Sequence, residues 1–598
     1  MTTTHTFHIP VMGIGYTIDT PLKVSKYGID SVISLVDDIL LERLRKMYSK
    51  NFQLPYEEIT EKMADFRAKR ITSYLNLIQE LAEKEFEAIK AATQENSIAL
   101  KKYMGMLPAA SHLKAEFEKL LHDCPSWDEL KKWAADHLKM GSIDVNIMTK
   151  IDKENYLKKE KLPTEYNDAH AALRGFAKSN LQSSVILSAG MNPRLYAYME
   201  EFEDFYPDAT GTLKKKIILK VSDYRSALIQ GKFLAKKGLW VSEFRIESGL
   251  NCGGHAFATE GHLMGPILAQ FRDEKQTLMA TLYETLMAAL QQKNRSIPKN
   301  TLPLKITAQG GVGTSDEHQF LLEHYQVDAV GWGTPFLLVP EATTVDKQTL
   351  TQLTQATEDQ LYISNTSPLG VPFNTLKGNT KDDEKKTLIN KGRPGSSCPK
   401  KFVALNKELT EKGICTASRQ YQDLKIKALD NEGLTDTAYD NEYLKIVEKS
   451  CICVGLGTSA LLQYGLDTKV EGTGVSICPG PNLAYFSKEM TLSEITDNIY
   501  GRTNVIVRND RPHMFIKELQ LYIDFLKNKI EDVHTARSEK QKQGLLQFAK
   551  NLNDGISYYK NVFEHAKGYF LGIHHQLQTD LENSQRELQR LFLRINLL

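Results

Sequence analysis

The sequence predicts an α/β protein built on a (β/α)8 barrel. Eight short apolar runs precede Glu341, helical patterns separate most of them, and their ends are rich in glycine and small polar residues. Alternating strand and helix signals favour a parallel sheet. In a parallel barrel the chemistry collects at the C-terminal ends of the strands. An open doubly wound sheet is the other arrangement compatible with this alternation.

The first run is Ile9–Gly13, followed by a short helix over Pro21–Gly28 that ends at glycine, and then by the run Ser31–Val36. The texture changes over residues 38–140, where Leu, Glu, Lys and Ala recur at helical spacing. Ile71, Tyr74, Leu75, Leu77, Ile78, Leu81 and Phe86 mark one apolar stripe. This predicts a helical insertion packed as a cap, with a partner-binding bundle as the alternative. Strand-like runs resume at Ile143–Met148, Ser184–Ser188 and Lys216–Val221. Ser242–Glu247, Leu304–Ala308 and Val327–Gly331 complete the eight. Residues 346–490 read as a loop-rich, cysteine-containing extension, and residues 491–598 as a C-terminal helical region. The barrel is therefore expected from residues 1–37 and 141–345, interrupted by the insertion.

Composition excludes several classes. Lys and Arg number 75 against 74 Asp and Glu, a net charge of +1. That balance removes the simplest electrostatic reason for a nucleic-acid partner. The basic runs Lys214–Lys216 and Lys400–Lys401 are expected on solvated faces. No apolar run reaches the ~18 residues of a membrane span. Seven cysteines in 598 residues are too few for a disulfide scaffold. The opening Met1-Thr2-Thr3-Thr4-His5-Thr6 lacks the basic and apolar parts of a signal peptide. A cytoplasmic, reduced protein is expected, with oligomerisation left open.

Five strand ends carry glycine-rich loops. They are Met12-Gly13-Ile14-Gly15, Ser188–Asn192, Ser248–His255, Gln309–Ser315 and Gly331–Phe336. The last two follow the seventh and eighth strands, where this fold usually binds phosphate. Glycine lets backbone N–H groups approach an anion, and a helix N-terminus adds favourable dipole charge. For either loop alone, a tight turn that needs glycine for its geometry explains the pattern equally well.

Gly253-Gly254-His255, Gln309-Gly310-Gly311-Val312 and Val327–Phe336 together resemble the signature of the nitronate monooxygenase-like FMN barrels. This family, formerly called 2-nitropropane dioxygenases, includes an FMN-dependent enoyl-acyl-carrier-protein reductase branch. Pro10-Val11-Met12-Gly13, Val145–Met148 and Lys220 match in order. The resemblance covers roughly residues 8–340. It implies a bound FMN, with Gly310, Gly311, Gly333 and Thr334 at its phosphate. Met12, Gly13, Asn146 and Lys220 would lie along the ring and ribityl chain, and Gly253 and Gly254 beside it. His255 would be the catalytic base or hydrogen-bond donor for a small organic substrate. NAD(P)H or reduced ferredoxin would supply electrons. This chain has Asn251-Cys252 where the family often has Glu-Ala, so nitronate oxidation loses a carboxylate.

Cys398, Cys415, Cys451, Cys453 and Cys478 crowd into one window with spacing C-x16-C-x35-C-x-C-x24-C. Soft thiolates suit iron–sulfur clusters and zinc. An iron–sulfur cluster, a zinc site and unligated thiols are the three readings. Cys453–Ala460 also matches a G-x-G-x-x-A nucleotide fingerprint, with a tight turn as the plainer reading. The readings for the whole chain are an FMN oxidoreductase of the nitronate type, an enoyl-thioester reductase, a non-catalytic barrel scaffold, and a flavin-dependent nucleic-acid modifying enzyme.

Overall fold

A computed structural model describes residues 4–91, 97–123, 126–188, 190–247, 249–251, 253–255, 260–506, 508–533 and 539–598. Eight parallel strands close into a barrel in the order β1-β8-β7-β6-β5-β4-β3-β2. They are β1 (Phe7–Ile9), β2 (Asp30–Ser34), β3 (Ile143–Met148), β4 (Ser184–Ser188), β5 (Lys216–Val221), β6 (Val241–Glu247), β7 (Lys305–Gln309) and β8 (Ala329–Gly331). Closure comes from β1 against β8, with Phe7 opposite Val330 and His8 opposite Gly331. The first strand lies ahead of the predicted Ile9–Gly13. Pro10 has no N–H for a ladder, and Gly13 already turns at φ 55°.

Side chains alternate across each strand, so every second residue fills the lumen. Val32, Ile186 and Ile218 form a small apolar cluster of their own, with Val11 packed on it, separate from the main core. Toward the C-terminal ends the same faces carry Ser34, Asn146, Ser188, Lys220, Glu247 and Gln309. The lumen thus holds a small apolar cluster among buried polar side chains, the Glu243–Arg245 pair included, with further polar groups at the strand ends.

The insertion forms five helices, Asp38–Asn51, Phe66–Lys90, Ser97–Met106, His112–His122 and Trp127–His137. The stripe read from the sequence is the buried face of the second helix. That helix lies so close to the barrel helix Asp168–Ala177 that a Cβ on Gly175 would come within 2.8 Å of Ile71. Buried charge fixes its angle. Asp38 accepts from both Arg67 and Arg70, the latter at 2.9 Å. Arg67 also donates to the carbonyls of Leu35 and Val36 at the end of β2.

The extension departs from the loop-rich expectation. It holds five helices, Lys347–Thr354, Thr380–Asn390, Arg419–Leu429, Asp436–Val447 and Ile452–Gln463, and a hairpin of β9 (Leu361–Ser364) and β10 (Phe373–Leu376). Three of these helices span at most 11 residues, too few turns for a firm period. Ile452–Gln463 is buried over nearly its whole length and so has no polar face to reveal it. The nucleotide fingerprint and the tight turn both fail there, because its glycines lie inside a helix. They serve close packing instead. Gly15 N donates to Leu456 O at 2.9 Å, and a Cβ on Gly455 would meet Ser476 Oγ at 2.3 Å.

The C-terminal region follows its reading, with helices Leu492–Ile499, Met514–Val533, Glu539–His565 and His574–Leu597. One continuous buried cluster runs through barrel, insertion, extension and C-terminal helices. Two predicted solvated lysines are in fact buried. Lys215 donates to the carbonyls of Phe176, Ser179 and Leu181, and burial brings it down to about 8. Lys400 pairs with Asp37 at 2.5 Å and with Glu471 at 3.3 Å, tying the extension to the start of the insertion. A run of lysines in sequence does not separate a lone buried amine from its exposed neighbours. Among the described residues no single helix is long and apolar enough to cross a membrane.

Candidate active site at the barrel mouth

The polar mouth is organised around one ion pair. Lys220, at the end of β5, holds Glu247 of β6 at 2.8 Å, and Gln309 Nε2 of β7 donates to the same carboxylate at 2.7 Å. Lys220 is therefore charge-balanced rather than a lone cation. Asn146 of β3 is buried, and its Oδ1 has no hydrogen-bond partner among the described residues. Glu247 and Gln309 were not singled out from the sequence. The signal was present in their place at strand ends on the same parity as Arg245 and Thr307.

His255 sits in the loop after β6. Its Nε2 lies 2.6 Å from Ser367 Oγ, and its ring meets Phe373 edge-on at 5.1 Å between centroids. Asn251 ties the loop together. Its Nδ2 donates to His255 O at 2.5 Å, and its Oδ1 accepts from Gly253 N at 3.0 Å and from Asn374 Nδ2 at 3.0 Å. Burial, and then the charge of Lys150, brings the imidazole down to about 4. His255 is thus neutral at physiological pH, able to accept a proton or to share one with Ser367. Ser367 and Asn374 come from the extension, over 100 residues downstream, and no local pattern pairs them with His255.

The glycines have separable reasons. Gly253 stands at φ 116°, where a Cβ would meet Cys478 O at 2.0 Å. Gly254 stands at φ 82°, and among the described residues nothing lies within 4 Å of its Cβ position, so its glycine is required by conformation. Gly310 and Gly311 both take positive φ, and Cβ atoms there would strike Asn251 and Leu250. Their geometry alone requires glycine, whatever the loop binds. Gly333 has φ −108° and precedes the short 3-10 helix Thr334–Leu338. At the first loop, Met12 is buried with its N–H donating to Thr17 Oγ1 at 3.2 Å, and Gly13 turns against the Tyr16 ring.

A strap from the extension, residues 478–482, runs over this mouth. Gly254 N donates to Cys478 O at 3.3 Å, and Gly480 N donates to Thr334 Oγ1 at 3.0 Å. Asn482 Nδ2 reaches the carbonyls of Gly311 and Val312 at 2.8 and 2.9 Å. Behind it Arg511 forms a forked pair with buried Glu317, which also accepts from Gly313 N at 2.8 Å. The seventh and eighth loops are thus clamped from outside the barrel.

The cysteines divide. Cys398, Cys451 and Cys453 hydrogen-bond one another, with Cys415 close by, and all are buried and free. Those bonds favour the thiolate on Cys398 and hold Cys453 protonated. Cys478 stands apart. The N–H groups of Gly254 and Gly13 face its thiol at the barrel mouth, and burial pushes it up to about 12. Among the described residues no three His, Cys, Asp or Glu side chains are arranged to hold a metal ion. The five cysteines therefore do not form one site, since the fold carries Cys478 into the barrel mouth and leaves Cys398, Cys415, Cys451 and Cys453 together. Cys124 and Cys252 lie outside the described residues.

No protein-family model and no curated protein matches the chain. Among solved structures it is similar to FabK from Thermotoga maritima, at 12% identity over 88% of this chain and 96% of that one, with a TM-score of 0.36. It is also similar to the enoyl reductase domain of MlnA from the macrolactin biosynthesis cluster of Bacillus amyloliquefaciens. That match has 12% identity over 68% of this chain and 88% of that one, with a TM-score of 0.33.

Proposed function

We propose that the protein is an FMN-dependent oxidoreductase that reduces an enoyl thioester or a related activated organic substrate. The observation that carries this reading is the polar barrel mouth. Asn146 Oδ1, near the end of β3, is buried without a partner among the described residues, and the Lys220–Glu247–Gln309 group gathers at the ends of β5, β6 and β7. Those donors and acceptors fit the polar edge of a flavin ring. Asn146 and Lys220 would hold that edge, with Met12 and Gly13 along the ring and ribityl chain. Gly310, Gly311, Gly333 and Thr334 would offer backbone and hydroxyl donors to the phosphate. Gly253 and Gly254 would flank the ring on the side of His255.

Bound FMN supplies hydride and electron transfer, and the protein supplies orientation, electrostatics and proton handling. His255 holds a proton-accepting Nε2 at the mouth, oriented by Ser367. Asn251 cannot take a proton and is committed to holding its own loop, which weighs against nitronate oxidation. One further observation favours the thioester reading. Asn374, which hydrogen-bonds Gly254 and Asn251 of the His255 loop, also lines a cleft of about 570 Å³, more room than a small nitronate fills. NAD(P)H or reduced ferredoxin would be the electron source.

Purified protein should absorb near ~450 nm and release FMN on denaturation, as expected for a bound flavin cofactor. Colourless protein that cannot be reconstituted with FMN would defeat the reading. Gly333→Asp places a carboxylate at the phosphate position. It should abolish FMN retention while circular dichroism and Tm stay close to wild type; retained flavin would misplace the phosphate loop. Glu247→Gln removes the charge that balances Lys220. The flavin midpoint potential should then rise, read by dye-equilibrated titration, because an unbalanced cation favours the anionic reduced form.

A further inference from the structure

The cleft beside the His255 loop has no counterpart among the barrel's own parts. Its walls come from two elements outside the barrel, the β9–β10 hairpin and the Met514–Val533 helix, and its floor from the strap and Asn374. Ile363, Pro372, Leu521, Phe525, Pro479 and Pro481 supply its apolar lining. Its solvent edge is polar, with exposed Asp524, Asn528, Lys529 and Glu531. A volume of about 570 Å³ falls within the ~300–1,000 Å³ usual for small-molecule sites.

Two contacts connect this cleft to the reaction site. Asn374 lines the cleft while its N–H donates to Gly254 O at 2.9 Å and its Nδ2 to Asn251 Oδ1 at 3.0 Å. The strap has two faces. Gly480 N and Asn482 hold the eighth and seventh barrel loops, whereas Pro479 and Pro481 turn toward the cleft. Gly254, on the loop shared by both, accepts from Asn374 N and donates to Cys478 O of the strap. The helix wall is fixed independently, because Glu518 accepts from Met264 N at 3.0 Å and Tyr522 packs against Gly249. One side of that helix therefore holds the His255 loop in place while Leu521 and Phe525 line the cleft.

We propose that this cleft binds the non-reacting part of the substrate, an extended and mainly hydrocarbon chain whose reactive end lies at His255. Leu521, Phe525 and Ile363 are then the residues that set chain-length preference. The inference rests on the barrel mouth being the reaction site, but the binding it describes does not require flavin.

The test uses isothermal titration calorimetry on the full chain with two neutral probes, decanoyl- and butanoyl-N-acetylcysteamine. Each methylene buried multiplies affinity by about three- to fourfold, so six of them should favour the decanoyl probe by 100-fold or more. Leu521→Trp narrows the cleft at its helix wall. Asn528→Trp obstructs its exposed mouth without touching the core, so at least one variant folds normally. Either folded variant should cut the decanoyl-to-butanoyl preference to below about tenfold. An equal affinity for both probes in the wild type, or a preference unchanged in the folded variants, overturns the proposal. FMN content is measured on the same samples. Chain-length preference in a protein that holds no flavin keeps the cleft and removes the flavoenzyme reading. Full FMN content with no chain-length preference removes the cleft alone.

Discussion

Asp38→Ala should lower the stability of the protein by about 3–5 kcal/mol, the scale seen when one partner of a buried ion pair is removed. Asp38 is 4% exposed, and its two oxygens accept from Arg67 and Arg70, which are 10% and 8% exposed. Alanine would leave two guanidinium groups facing one another with little water to compensate. Arg67 retains the carbonyls of Leu35 and Val36, so the loss concentrates on Arg70 and on the angle of the Phe66–Lys90 helix. Urea midpoints or, if unfolding is irreversible, unfolding rates at fixed temperature check the prediction. The triple variant Asp38→Leu, Arg67→Met, Arg70→Met should recover part of the loss, because it removes both unpaired guanidinium groups while buried Asp168 keeps Lys153 at 3.5 Å. A single variant as stable as wild type would mean that water reaches this site.

The second large effect concerns His255. His255→Gln keeps a hydrogen-bonding side chain beside Ser367 but removes the titratable nitrogen. It should lower kcat/KM by about 10²- to 10⁴-fold, the usual worth of a general acid–base, with FMN content unchanged. The pH profile distinguishes this from a structural loss. The imidazole is brought down to about 4 in the folded protein, against about 6.5 for a free histidine. The wild-type acid limb of kcat/KM should therefore fall near pH 4 rather than 6.5, and the variant should lack it. An acid limb near 6.5 would overturn the buried, neutral His255.

The same shift links to stability. His5 and His513 are also lowered to about 4, and His318 to about 3, chiefly by burial. Each takes up its proton on unfolding when the pH lies between its folded and unfolded values. Their contribution is full above about pH 6.5 and is lost as the pH falls toward 4, at up to about 1.4 kcal/mol per pH unit for each histidine. Thermal midpoints between pH 7 and 4.5 should decline accordingly.

Particular elements explain what could be read in advance. The barrel strands were legible because each is a short run buried on both faces, bounded by glycine or by helix. The Phe66–Lys90 stripe was legible because a 25-residue helix repeats its pattern many times. Ile452–Gln463 was not, since full burial erases the contrast between faces. The glycine turns and His255 were found from local sequence. Ser367, Asn374 and the strap could not be, because their partners lie far away along the chain.

From its sequence alone, this protein is an eight-stranded barrel with a large helical insertion and glycine-rich strand ends that carry one histidine. Such features depend on residue order over a few to some tens of positions, where backbone geometry and hydrophobic period act. Only the tertiary structure decided that Lys220 is balanced by Glu247, that Cys478 leaves the other cysteines for the barrel mouth, and that a buried Lys400 pins the extension. It also decided that the extension and a C-terminal helix wall a cleft whose Asn374 hydrogen-bonds the His255 loop. Those outcomes depend on which desolvated charges and close-packed surfaces meet after the chain has closed, and spacing along the chain carries no record of that.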